Sequence, residues 1–288
     1  VSTLKALRTR IKTVKATQKI TTAMKLVSAA KLRRAQDQLG AFTPYAKNME
    51  AVWQKALKAG ESEDFPKWLT PQGEEELIIV LMADRGLCGS YNAVMARHIR
   101  KMMGDARAQK KSIKILPLGF KALDLLRGDL GNNFLKLLFE NREKKPSLSQ
   151  VFYSLSTFLE EHLQQTSYGS VRIVFTEFRS ILRQEITEIE LLIQPNEEKE
   201  MGYGPLIEPS PKELIESLAF LYLNSQLRYA LYQSQTAEQA ARMRAMDTAT
   251  DNANEVITRL NRTYNRTRQA GITRELIEII SGANALAS

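Results

Sequence analysis

The sequence predicts a mixed α/β protein whose two ends pair as a long antiparallel two-helix coiled coil, with a small α/β domain between them in the chain. Three observations predict this. Neither the first 39 residues nor the 59 residues from Lys212 to Ala270 contain a single Gly or Pro. In both stretches apolar or small residues recur at the alternating 3,4 spacing of a coiled-coil seam. Between them, strand-like apolar runs alternate with helical patterns.

The first segment, residues 1–59, opens with Leu4, Leu7, Ile11 and Val14 in strict seam spacing. Beyond Val14 the strict seam meets Gln18 and Thr21, and Ile20, Met24 and Val27 continue an apolar stripe at helical spacing. Gly40 and Pro44 are expected to loosen or kink the helix, which resumes from Tyr45 to Ala59. Gly60 and the acidic, Pro-bearing stretch to Gly73 end it.

The middle, residues 74–194, reads as a Rossmann-like α/β domain. Strands are expected at Glu76–Met82, Ser112–Leu118, Phe134–Phe139, Val171–Phe178 and Glu185–Ile193. Three of them are nearly continuous apolar runs, as strands buried on both faces must be. Helical patterns fall at Asn92–Ala108, Lys121–Leu126 and Ser149–Gln165, so part of the sheet is parallel. Val171–Ile193 reads as a hairpin with Glu188 and Glu190 on one solvated side.

Pro195–Pro211 is loop, and Pro211 stands at a favourable first-turn position for the last segment, residues 211–288. There Ala249, Ala253, Val256, Leu260, Thr263, Thr267 and Ala270 make a seam of mostly small residues. Ile272, Leu276, Ile279, Ala283 and Leu286 make a second, larger-residue seam offset from the first. At 1.5 Å per residue, helices over 212–286 and 2–59 reach roughly 110 and 85 Å. Such lengths need a helical partner. Packing the two terminal helices antiparallel into one rod supplies it. The offset near Ala270–Ile272 is expected to mark where pairing stops and a lone tip begins.

Charge adds direction. The formal net charge is +9, and residues 1–40 hold ten Lys/Arg against one acid, Asp37. The excess therefore sits on the first helix and points to an acidic partner. With one cysteine, Cys88, no internal disulfide or thiolate metal cluster can form. No run reaches the roughly 18 apolar residues that span a bilayer. Val1 suggests processing or loss of an initiator methionine.

Individual motifs carry little chemistry. Asp84–Ser90 lies between a strand and a helix, where a phosphate-cradling turn would sit. It lacks the full glycine fingerprint and the Lys-Ser/Thr of a P-loop, and a tight structural turn explains it better. The basic helix shows no aromatic residue in its first 40, against a nucleic-acid role. His98 and His162 stand far apart in sequence and suggest no metal site. Cys88 beside Arg85 has no paired base. No nucleophile–base–acid arrangement can be picked out, so no catalytic, cofactor or metal residue and no small-molecule substrate is expected.

Four blocks are more specific. Lys15–Ala35 (KATQKITTAMKLVSAAKLRRA) resembles the N-terminal helix of the gamma subunit of F-type ATP synthases, and Ala83–Asn92 (ADRGLCGSYN) is similar to that family's central turn. Glu238–Asn252 and Tyr264–Ala283 resemble its C-terminal helix. The blocks keep the family's order across nearly the whole chain.

The resemblance implies a non-catalytic shaft inside a hexamer of alternating alpha and beta subunits. It would couple ion flow through a membrane ring of c subunits to ATP synthesis and hydrolysis. By motif match, Met24, Lys25, Lys31, Arg33 and Arg34 would face an acidic lever of the beta subunits. Arg242, Met246, Gln269 and Thr273 would lie in contact zones with the hexamer. Leu276, Ile279, Ile280 and Leu286 would fill its apolar collar. Tyr203 and Glu208 would approach the ring and the epsilon subunit. The implied location is peripheral, on the cytoplasmic face of a bacterial inner membrane, or on the matrix face in mitochondria. A static coiled-coil scaffold is the alternative.

Overall fold

The structure, a computed structural model, describes residues 2–60, 62–136, 138–139, 146–193, 208 and 210–287. It is a mixed α+β protein with two very long helices, α1 (Ser2–Ala59) and α5 (Pro211–Ala287). The chain divides into two compact units, Val1–Ser28 with Arg242–Ser288, and Ala29–Ala241.

The larger unit is built on strands β1 (Glu76–Leu81), β2 (Ile113–Leu118), β3 (Ser170–Phe178) and β4 (Gln184–Glu190), in the order β2-β1-β3-β4. β1 runs parallel to both β2 and β3, and β3 pairs antiparallel with β4 as the hairpin signal predicts. Helices α2 (Tyr91–Ala108), α3 (Phe120–Leu130) and α4 (Leu148–Gln165) complete it.

Alternate residues of β1 serve two cores, because successive side chains of a strand point to opposite faces. Leu77, Ile79 and Leu81 pack with Leu155 and Leu159 of α4, with Ile215, Leu223 and Leu227 of α5, and with Trp53 of α1. Ile78 and Val80 pack with Met95 and Ile99 of α2 and with Leu126 of α3. A strand covered on both sides must be apolar throughout, which is why its sequence does not alternate.

The structure corrects three sequence expectations here. Among its described residues, 134–139 holds no strand. Phe134 makes one isolated bridge to Ile115, and Leu135 N–H donates to the Ile115 carbonyl at 3.0 Å. The run is apolar because Leu135 and Leu138 pack against the core, with no ladder to join. β4 stops at Glu190, three residues early. Glu190 is half-buried, and its carboxylate accepts from Val171 N–H (2.9 Å), Leu192 N–H (3.2 Å) and the Ser170 hydroxyl (2.6 Å). It therefore takes over backbone donors where the ladder ends, on the same side of the strand as Glu188 but half-buried. Finally, α1 runs unbroken through Pro44. Pro44 is exposed, and the Gly40 carbonyl that its missing N–H leaves unpaired lies on an exposed residue where water can serve it.

The smaller unit holds the first half of α1 and the last part of α5. Gln18 bonds Asn254, Thr21 bonds Thr250 and Lys25 bonds Asp247, so the two helices run antiparallel there in one register. The face of α1 that is covered keeps a strict 3,4 repeat from Leu4 through Val14, Gln18, Thr21, Lys25 and Ser28, and on to Leu32, Ala35 and Leu39. This overturns the apolar-stripe expectation beyond Val14: Ile20 and Val27 are 60% and 55% exposed, whereas polar Ser28 is 3% exposed. On α5, Ala253 and Leu260 are buried and Thr267 half-buried, as the seam predicts. Tyr264 and Gly271 are covered in place of Thr263 and Ala270.

Candidate functional site

Two exposed tracts on the long helices dominate the chemistry. The first lies on α1. Leu32 and Ala35 are buried and fix the rotation of this turn, which sends Lys31, Arg33 and Arg34 outward. Among the described residues no ion pair engages these three. In the smaller unit, Ile20, Leu26 and Val27 are exposed too (Leu26 64%). Outward cations that no ion pair engages among the described residues are the pattern of a surface that meets an acidic partner.

Lys25 behaves differently from its neighbours. Its ammonium sits 2.5 Å from Asp247 Oδ1, and that hydrogen bond holds its pKa above the usual lysine value. Met24 beside it is half-buried. The second tract is the end of α5. Every described side chain from Ile272 to Ser281 is exposed, including Leu276 (54%), Ile279 (68%) and Ile280 (58%). The side chain of Leu286 lies outside the described residues.

The other sequence-predicted residues spread along α5 and beyond it. Arg242 is half-buried, Met246 is 5% exposed within the helix pair, and Gln269 and Thr273 are exposed, with the Thr273 hydroxyl donating to the Gln269 carbonyl at 3.0 Å. Glu208 is exposed in a bend, and Tyr203 lies outside the described residues, as does most of the Pro195–Pro211 loop. The structure therefore groups Lys31, Arg33 and Arg34 as one cluster and the tip residues as another. It separates Lys25 and Met246, which serve the helix pair. Ile20 and Val27 were missed as exposed residues because their spacing alone reads as core, and Leu26 carries no spacing signal of its own.

The Asp84–Ser90 turn is a docking element of the larger unit. Cys88 and Tyr91 are buried against Ala237 and Ala241 of α5. Asn92 Oδ1 accepts from Ala83 N–H at 3.0 Å and its amide donates to Cys88 Sγ at 3.2 Å, closing the turn from inside. Leu87 and Gly89 both have positive φ, 64° and 60°, so the turn is tight, and Leu87 is exposed.

Titratable groups elsewhere are engaged in packing. His98 of α2 bonds Glu188 at 2.8 Å, and Glu188 also pairs with Arg172, which reaches Glu76. His162 of α4 stacks on Phe158 and bonds the Tyr168 hydroxyl at 2.7 Å; burial lowers its pKa. Among the described residues no group of His, Cys, Asp or Glu could hold a metal ion. Among them, too, no helix is long and apolar enough to cross a membrane.

Known proteins match this arrangement over nearly all of its length. The family model described as ATP synthase matches residues 3–286. The ATP synthase gamma chain of Paramagnetospirillum magneticum is 39% identical, over 99% of this chain and 100% of that protein. The gamma chain of Hyphomonas neptunium is 38% identical, over 98% of this chain and 99% of that protein. In fold, the chain is similar to one in the cryo-EM structure of the Euglena gracilis mitochondrial ATP synthase rotor. The TM-score is 0.69 at 19% identity, with 94% of this chain and 99% of that chain covered.

Proposed function

The chain belongs to the ATP synthase gamma chain family, and from that premise we propose that it works as the central rotating shaft of the enzyme. In this reading it carries no catalytic group. It couples ion flow through a membrane ring of c subunits to ATP synthesis and hydrolysis on a surrounding hexamer of alpha and beta subunits.

One observation carries the mechanical part: α1 and α5 are paired in a single antiparallel register by Gln18–Asn254, Thr21–Thr250 and Lys25–Asp247. A helix pair of this kind supports the reading of residues 1–59 and 211–288 as an antiparallel coiled coil. The parallel β2-β1-β3 arrangement with helices on both faces supports the reading of residues 74–194 as a Rossmann-like domain.

A shaft must be stiff and still turn against its surroundings. Exposed cations suit this, since each exposed ion pair is worth on the order of 0–1 kcal/mol and is readily exchanged. Lys31, Arg33 and Arg34 are the residues that attract the acidic lever of each beta subunit in turn, with Met24 behind them. Lys25 shares its charge with Asp247, so it contributes less. Arg242, Met246, Gln269 and Thr273 lie in contact zones with the hexamer along α5, Met246 being largely covered within the pair. Leu276, Ile279, Ile280 and Leu286 turn in an apolar collar. Tyr203 and Glu208 lie nearest the ring and the epsilon subunit. Bacterial relatives support a peripheral position on the cytoplasmic face of the inner membrane.

The test is Mg-ATP hydrolysis by purified cognate alpha and beta subunits, with and without this chain, and with residues 273–288 removed. The shaft reading expects the full chain to assemble and raise turnover, to be inactive alone, and to act more weakly when truncated. A chain that neither assembles nor changes turnover would return the assignment to a static coiled-coil scaffold.

A further inference from the structure

Four consecutive positions of the α1 seam are polar: Gln18, Thr21, Lys25 and Ser28, all half-buried or buried. Apolar positions precede them (Leu4 to Val14) and follow them (Leu32 to Leu39). Polar seam residues forgo hydrophobic stabilisation, so their clustering asks what they supply in return.

Three of the four reach across to α5, each with a different chemistry. The Gln18 amide donates to Asn254 Oδ1 at 2.6 Å. The Thr250 hydroxyl reaches Thr21 Oγ1 at 2.8 Å, and Thr21 in turn donates to the Gln18 carbonyl at 3.0 Å. Lys25 donates to Asp247 Oδ1 at 2.5 Å, with Asp251 adding to the field on the ammonium.

We propose that the layers Gln18–Asn254, Thr21–Thr250 and Lys25–Asp247 are a register lock that prevents the two helices from sliding along one another under load. An apolar seam tolerates a one-turn slip, because one Leu or Ala layer substitutes for the next. An amide pair, a hydroxyl pair and an ammonium–carboxylate pair stand in sequence, and like meets like in all three only in the observed register. The pairs are partly exposed (Lys25 40%, Asp247 48%), so a one-turn shift toward Tyr264 costs a change of partners: Asp251 could replace Asp247 at Lys25, but the amide and hydroxyl pairs would be broken. Lys25 and Asp247 are positioning residues in this account, acting through the geometry of the pair. The load itself rests on the shaft reading above; the lock does not.

Disulfide mapping tests the lock. The register places Ile11 opposite Leu260, while Tyr264 stands one turn further along α5. Two reporter chains carry Ile11→Cys with Leu260→Cys, or Ile11→Cys with Tyr264→Cys; native Cys88 is buried. Each is made with the natural layers and with Gln18, Lys25, Asp247 and Asn254 changed to Leu and Thr21 and Thr250 to Val.

With natural layers only the 11–260 disulfide is expected, both at rest and during ATP hydrolysis in the assembled enzyme. With apolar layers the chain is expected to melt higher yet also form the displaced 11–264 disulfide. Ions pumped per ATP should fall, and restoring Gln18 and Asn254 should suppress the displaced product. A single 11–260 product and unchanged pumping from the apolar variant would overturn the lock. Should the chain fail to assemble with alpha and beta subunits, the shaft reading falls, and the disulfide pattern of the isolated full chain still decides: a single product from the apolar variant refutes the lock.

Discussion

The Tyr91 hydroxyl lies 2.9 Å from Ser234 Oγ and 3.2 Å from the Ser234 carbonyl, so the first residue of α2 is bonded to α5 across 143 positions of sequence. The phenol is buried, and burial pushes its pKa well above the usual range. Burial acts the same way on Tyr222, and raises Tyr168 to about 12.

These phenols make stability pH-dependent at the alkaline end. Unfolded tyrosines titrate near about 10. The folded chain holds the proton more tightly, so this stabilisation is complete below that pH and drains away above it. The urea midpoint should be flat from about pH 7 to 9 and fall above about 10. Tyr91→Phe should remove part of that fall and cost about 1 kcal/mol at neutral pH. An alkaline limb identical in Tyr91→Phe would show that Tyr91 does not contribute.

Trp53 is 1% exposed and stacks on Tyr222 with ring centroids 4.8 Å apart, joining α1 to α5 within the larger unit. Trp53→Ala should cost about 3–5 kcal/mol, measured by chemical denaturation. A loss below about 1 kcal/mol would mean the site collapses freely around the missing ring.

Gly119, between β2 and α3, has φ +89°, and a Cβ there would stand 2.1 Å from the Met82 carbonyl oxygen. Backbone atoms cannot yield as a side chain would. Gly119→Ala should therefore cost at least about 2 kcal/mol. By contrast Gly128→Ala, on α3 with open space around it, should be neutral or stabilising.

Much of this was legible from sequence because long helices announce themselves by what they lack. Absence of Gly and Pro, with Leu4 to Val14 in register, located the pair, and the change of seam near Gly271 located the end of coverage. Gln18 and Thr21 were read on the seam by spacing, but what they bond was not legible, and Lys25 and Ser28 were not read as seam residues at all. Their partners lie more than 220 positions away for Lys25 and further for Gln18, so nothing local distinguishes them from a solvated face. The same gap hid the exposure of Ile20 and Val27. Phe134–Phe139 failed for the opposite reason: apolar residues that cover a core look like apolar residues that pair.

Lys31, Arg33 and Arg34 supply the prediction closest to function. Reversing all three to Glu touches only exposed positions, so thermal stability should change by less than about 0.5 kcal/mol for each. The number of ions pumped per ATP should nevertheless drop, because attraction to an acidic partner becomes repulsion. Pumping assays on vesicles holding the assembled enzyme would check it. An unchanged ratio would remove these cations from the coupling surface.

Rotation itself can be watched. Tyr153 on α4 is 73% exposed while Cys88 is 2% exposed, so Tyr153→Cys provides an accessible thiol for a bead. With alpha and beta subunits fixed to glass around the labelled chain, Mg-ATP should drive continuous rotation of the bead in one direction. A labelled, assembled complex that hydrolyses ATP while the bead stays still would contradict the shaft.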